Sequence, residues 1–177
     1  SNIHSQLDST SNNKSINDHT PIISPFKQLN IENVSSFSTY QDHTVMITNN
    51  GELYALGYNR DGRITNSLQT EGDLTKFTKF ELKNDEKSNF IPISAVCGYD
   101  FTLYLVTKKD SCGENYLLYS CSNNKESPLF LNIENSKPVS LFGGYTNAAA
   151  IDDNGSIILI PENIRYSPSN ELQSFCL

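Results

Sequence analysis

The chain repeats itself, and this constrains its fold more than any other feature. Residues 40–59 (YQDHTVMITNNGELYALGYN) and 144–163 (GYTNAAAIDDNGSIILIPEN) align without a gap, 104 positions apart, placing Asn50-Gly51 on Asn154-Gly155 and Asn59 on Asn163. Between them, GYDFTLYLVT at 98–107 repeats the first half. LLYSCSNN at 117–124 repeats the second half after a longer turn holding Cys112 and Gly113, so that Leu53-Tyr54 falls on Leu118-Tyr119 and Asn59 on Asn124. An independent echo, SPFKQLNIEN at 24–33 against SPLFLNIEN at 127–135, keeps the same order. A spacing of roughly 50 residues belongs to architectures in which each unit cannot bury its apolar face alone and stacks on its neighbours.

The composition within a unit says what the unit is made of. From Pro21 onward, short stretches rich in Phe, Tyr, Val, Ile and Thr alternate with Gly, Pro, Asn and Asp, the pattern of strands and turns, and no helical stripe outlasts two turns. Thr44–Thr48 and Glu52–Tyr58 read as a hairpin joined through Asn49-Asn50-Gly51, with Asn and Gly accepting the positive φ of a tight turn. Asp153-Asn154-Gly155 does the same in the last unit. The expected fold is all-β: propeller-type blades of short antiparallel strands in an incomplete ring of about three blades. The units run over 21–74, 75–126 and 127–166, with another starting at 167–177, where Ser167-Pro168 repeats the Ser-Pro pairs at 24–25 and 127–128. Residues 1–20 are almost entirely polar and are expected to form a disordered tail.

At these residues the chain resembles the regulator of chromosome condensation family, whose blades carry a Gly-x-x-His-Thr corner, an apolar strand, a turn with Gly, and Leu-Tyr-x-x-Gly-x-Asn. The positions that carry the resemblance are His43, Thr44, Gly51, Tyr54, Gly57 and Asn59 in the first unit. Gly98, Tyr119 and Asn124 carry it in the second, and Gly144, Gly155 and Asn163 in the third. The copies depart from the pattern where Tyr40 replaces the corner glycine, where Leu56, Cys121 and Ile160 replace an aromatic, and where Arg63-Ile64-Thr65 replaces Gln-Leu-Gly. The resemblance implies a closed ring of about seven blades, for which this sequence holds material for about three. It therefore implies docking onto missing blades or self-association. It also permits guanine-nucleotide exchange on a small GTPase, and chromatin association.

Charge bears on the choice of partner. The formal net charge is −7, and no Lys/Arg cluster exceeds the pair Lys108-Lys109, so there is no electrostatic footprint for phosphate backbones and direct nucleic-acid binding is not expected. The four cysteines (Cys97, Cys112, Cys121, Cys176) include no CxxC pair and the histidines are only His4, His19 and His43, which leaves no zinc-ligand spacing. There is no basic-then-apolar leader and no apolar run near the roughly 20 residues of a membrane span. The expectation is a soluble cytoplasmic or nuclear protein with reduced thiols and no membrane contact.

Catalytic chemistry finds no purchase. There is no phosphate-cradling loop, nucleophile elbow or HExxH helix, so no enzyme activity and no cofactor are expected. His43 beside Asp42 or Asp100 has the makings of a base, but its corner position reads as a hydrogen-bonding structural residue. Cys97 and Cys121 fall in predicted strands and read as core. Recognition is expected in the polar loops 60–76 and 83–90, with Arg60, Asp61, Arg63, Glu71 and Asp73 as the residues to contact a protein partner.

Overall fold

The computed structural model describes residues 29–68, 73–82, 90–110, 113–122, 125–130 and 137–160. Within them the chain is all-β, in three antiparallel sheets. The first sheet holds β1 (Val34–Tyr40), β2 (His43–Thr48), β3 (Leu53–Gly57) and β4 (Leu74–Phe80), paired in chain order. The second holds β5 (Phe90–Cys97), β6 (Phe101–Asp110), β7 (Gly113–Ser122) and β8 (Lys125–Phe130), also in chain order. The third holds β9 (Pro138–Gly143), β10 (Ala148–Asp152) and β11 (Ile157–Ile160). These are propeller blades, and the set is incomplete. The Ser127-Pro128 pair lies inside β8, the last strand of the second sheet.

The repeat read from the sequence survives as atomic detail. In the first hairpin Thr44 pairs with Leu56 and Ile47 with Leu53; in the third sheet Ala148 pairs with Ile160 and Ile151 with Ile157, the same register. Gly51 donates its amide to Thr48 O at 2.9 Å, and Gly155 to Asp152 O at 3.1 Å, with φ of 76° and 80° that a side chain would resist. Asn49 N reaches Asn33 O, and Asp153 N reaches Lys137 O, closing each turn onto the residue before the leading strand. Each leading strand also bulges at the same place, between Val34 and Ser36, Pro92 and Ser94, and Ile151's partner Ser140 and Asp152's partner Pro138.

The sheets stack through two cores built from alternate faces of the strands. Val45, Ile47, Leu53 and Ala55 meet Ala95, Cys97, Tyr104, Val106 and Tyr119 between sheets one and two. Leu103, Leu105 and Leu118, on the opposite face of sheet two, meet Leu141, Ala148, Ala150 and Ile160 of sheet three. Period-2 alternation explains how β6 feeds both cores, with Tyr104 and Val106 to one side and Leu103 and Leu105 to the other.

A polar seam accompanies each core. β5 and β9 are edge strands, and every second amide points away from their own sheet. Three of those amides are met by serine hydroxyls of the preceding leading strand: Ala95 N donates to Ser36 Oγ at 3.3 Å, Cys97 N to Ser38 Oγ at 2.9 Å, and Leu141 N to Ser94 Oγ at 3.1 Å. Ser36 and Ser94 hold the same place in their units, so one serine device joins both pairs of sheets. It satisfies edge donors that would otherwise be open to another chain.

Candidate functional site

The corners that join the first two strands of each sheet lie at one end of the stack, and the loop after β3 folds onto that end. Tyr58 N donates to Asp42 O at 2.7 Å, carrying the chain back over the first corner. Gly57 is required there: it sits at φ 104°, and a Cβ would come within 2.2 Å of Asp42 O.

Asn59 organises the loop that follows. Its carboxamide oxygen accepts from Ile64 N (2.9 Å) and Thr65 N (3.2 Å), and its amide donates to Thr65 O (2.9 Å) and Leu68 O (3.2 Å). All this happens at 3% exposure, so one buried side chain uses both faces of its amide to close a loop that has no secondary structure. That is the physical content of the terminal Asn in the repeat.

Arg63 occupies the centre of the end. Its Nε donates to Asp61 Oδ1 at 3.0 Å and a terminal nitrogen to Asp61 Oδ2 at 2.6 Å, a two-pronged pairing with one carboxylate. The other terminal nitrogen donates to Tyr99 O of the second sheet at 2.6 Å and lies 3.9 Å from Asp42, and the guanidinium sits 4.5 Å from the Tyr58 ring centroid. The residue is 8% exposed, and these carboxylates hold its protonated form more firmly than burial opposes it. Arg63 with Asp61 thus clamps the first loop to the second sheet, and the guanidinium is enclosed by the chain's own groups. Of the loop residues expected to meet a partner, Arg60 is the open one, its side chain 58% exposed and 3.4 Å from Asp73. Glu71 lies outside the described residues, as do Asn124 and Asn163.

His43 is fully buried beneath this network, and its Nε2 shares a hydrogen bond with Thr102 Oγ1 of the second sheet at 3.0 Å. Burial, with the neighbouring Arg63 charge adding to it, pushes its pKa down to about 3. The sequence reading anticipated a neighbouring backbone partner; a hydrogen bond with the Phe101 backbone also acts on the ring, and the threonine side chain across the sheet boundary adds to it. Cys97 and Cys121 are both buried free thiols, and burial pushes Cys97 up to about 12, far from a reactive thiolate. No group of His, Cys, Asp or Glu suited to a metal ion occurs among the described residues, and no helix there is long and apolar enough to cross a membrane.

Two residues that the sequence reading passed over dominate the surface of this end. Tyr99 and Tyr145 hold the same corner position in sheets two and three, 43% and 57% exposed, with ring centroids 4.9 Å apart and tilted by 43°. Their backbones are tied as well, Tyr99 N donating to Tyr145 O at 3.0 Å while Arg63 takes the Tyr99 carbonyl. The signal available in the sequence was the aromatic repeated directly after the corner glycines, in Gly98-Tyr99 and Gly144-Tyr145.

No protein-family model and no curated protein matches the chain. Among solved structures, human WBSCR16 superposes with a TM-score of 0.60 at 17% identity, covering 90% of this chain and 40% of that one. The chain therefore spans two fifths of the length of that structure. Two structures of a yeast protein align less closely, each at a TM-score of 0.46. They are RCC1 (Prp20) bound to Kap60, at 17% identity over 77% of this chain and 35% of that one, and Prp20p of Saccharomyces cerevisiae, described with its binding to Gsp1p and histones, at 18% identity over 72% and 33%. The first superposition, with three stacked antiparallel sheets and the shared corner and hairpin positions, shows that the chain has the fold of regulator-of-chromosome-condensation-type propellers, as an incomplete set of their blades.

Proposed function

We propose that the chain is a protein-binding scaffold whose recognition surface is the corner end of its blades. The observation that carries this reading is the stacked, half-exposed Tyr99–Tyr145 pair, fixed across two sheets by a backbone bond and by Arg63. Rigid tyrosines cost little conformational entropy to bury and offer both apolar area and a hydroxyl, which is why they concentrate the energy of protein interfaces. Arg60 and Asp73 stand on the loop at the same end and supply the polar margin of such a surface. With an acidic balance and enclosed His43 and Cys97, the reading is of a binder without covalent chemistry, metal or cofactor, working in cytoplasm or nucleus on a protein and not on nucleic acid.

Affinity capture with the wild-type chain and a Tyr99→Ala/Tyr145→Ala variant, matched for unfolding midpoint, tests this. Proteins retained by the wild type should be lost by the variant; an unchanged set removes the corner end as the recognition surface.

Guanine-nucleotide exchange is the narrower reading that the family resemblance permits. It would act by destabilising bound nucleotide through contacts from this same end. Release of a fluorescent guanine nucleotide from a panel of small GTPases decides it: acceleration that the double tyrosine variant abolishes supports exchange, and rates equal to the no-protein control remove it.

A further inference from the structure

The interface between successive sheets is one interface used twice, and among the described residues its two halves recur a third time with apolar side chains exposed. On the preceding-sheet side, Val45, Ile47, Leu53 and Ala55 are buried against sheet two at 0–3% exposure. The hairpin register places Ala149, Ile151, Ile157 and Leu159 at the same positions of sheet three. There Ile157 is 63% and Leu159 66% exposed, and Phe142 on the adjoining leading strand is 52% exposed. Ser140 stands where Ser36 and Ser94 stand, the two serines that accept amides from the next leading strand. The described strands of the third sheet thus present the leading-strand and hairpin part of a preceding-sheet face.

The complementary half is at the other end. In sheets two and three, Ala95 and Leu141 point toward the preceding sheet and donate their outward amides to its serines. Phe37 has that position in β1, and it is 59% exposed, with Val34 at 41%. One chain therefore presents an apolar face with a serine acceptor at sheet three and an apolar face with outward amides at sheet one.

We infer that the open face of sheet three is a docking site for sheet one of a second copy of this chain, head to tail, repeating the contact already made twice inside the molecule. Phe37 of the incoming copy packs over Ile157 and Leu159, and its amide donates to Ser140 Oγ. Two different patches of the same chain make the contact, so any open assembly keeps one face of each kind free and grows until a ring closes. This inference does not rest on the recognition role proposed for the corner end.

Sedimentation velocity of the full chain from about 1 to about 100 μM tests the inference, in a range where contacts of this size associate measurably. The expected result is a mass that rises with concentration above the 19.8 kDa monomer. Leu159→Asp and Phe37→Asp, each at an exposed position and therefore expected to keep the wild-type unfolding midpoint, should each weaken association about tenfold or more by placing a charge in an apolar contact. An equimolar mixture of the two variants retains one intact sheet-three face and one intact sheet-one face, so it should form a 1:1 heterodimer and nothing larger. A wild-type monomer throughout the range overturns the inference. So does a mixture of variants that stays monomeric while the wild type associates.

Discussion

Replacing Asn59 by alanine should be among the most damaging single substitutions in the first blade, and its cost can be worked from four hydrogen bonds. The change strips partners from two buried amides, Ile64 N and Thr65 N, and from the carbonyls of Thr65 and Leu68. Ile64 and Thr65 are both at 0% exposure, so water cannot enter without opening the loop. Each buried group left unpaired costs about 1–3 kcal/mol, and partial relaxation of a loop recovers some of this, so a loss of about 3–5 kcal/mol is expected. For a chain of this size that corresponds to a fall of about 10 °C in unfolding midpoint. Urea unfolding followed by far-UV circular dichroism reads the change directly, provided the slope with denaturant is unchanged. Asn154→Ala is the matched control: it lies in an exposed turn and should shift stability by no more than about 0.5 kcal/mol. A loss below about 1 kcal/mol for Asn59→Ala would refute the claim that this carboxamide closes the loop.

Two further predictions follow from groups already described. His43 is held neutral in the fold with a pKa near 3, against an ordinary 6.5, so the unfolded chain takes up a proton that the folded chain refuses. Above pH 6.5 this has no effect on stability. Between 6.5 and 3 stability falls as pH falls, by about 2 kcal/mol from pH 7 to pH 5, and equilibrium unfolding should show that much of the acid slope vanish in His43→Asn. Gly57→Ala should cost about 3 kcal/mol or more, because its Cβ would collide with Asp42 O; Gly155→Ala, with a similar positive φ but open space around it, should cost about 1 kcal/mol. Equal losses in chemical denaturation would mean that backbone conformation alone, and not the close approach at Gly57, governs the first site.

What the sequence revealed and what it hid divide along physical lines. The hairpins were legible because a turn with Asn-Gly fixes register locally, and a one-residue slip would have reversed every face. The buried thiols of Cys97 and Cys121 were legible for the same reason, as apolar positions in strands. The serine seam was not: Ser36, Ser38 and Ser94 read as ordinary polar residues of exposed strand faces, and only stacking turns their hydroxyls toward the next sheet's edge. Arg63 was marked as a departure from the repeat and assigned to a partner; its engagement joins Asp61, two residues away, to Asp42 and to Tyr99 O, the last 36 residues distant in sequence. Tyr99 and Tyr145 went unmarked because neither is unusual in its own unit, and their meaning lies in being adjacent across two units.

The claim beneath all of this is that the sheets form one rigid stack. Residue-resolved amide hydrogen exchange tests it most directly, through the amides that point out of the edge strands. Ala95, Cys97 and Leu141 have no ladder partner on that side and are bonded only to Ser36, Ser38 and Ser94 of the preceding sheet. Measured below the concentration at which copies associate, they should exchange slowly, near the rate of the central strands. Phe37 and Thr39, in the same positions on β1 with no preceding sheet among the described residues, should exchange fast. Rapid exchange at Ala95, Cys97 and Leu141, matching Phe37 and Thr39, would contradict the stack and leave three sheets that do not form a common scaffold.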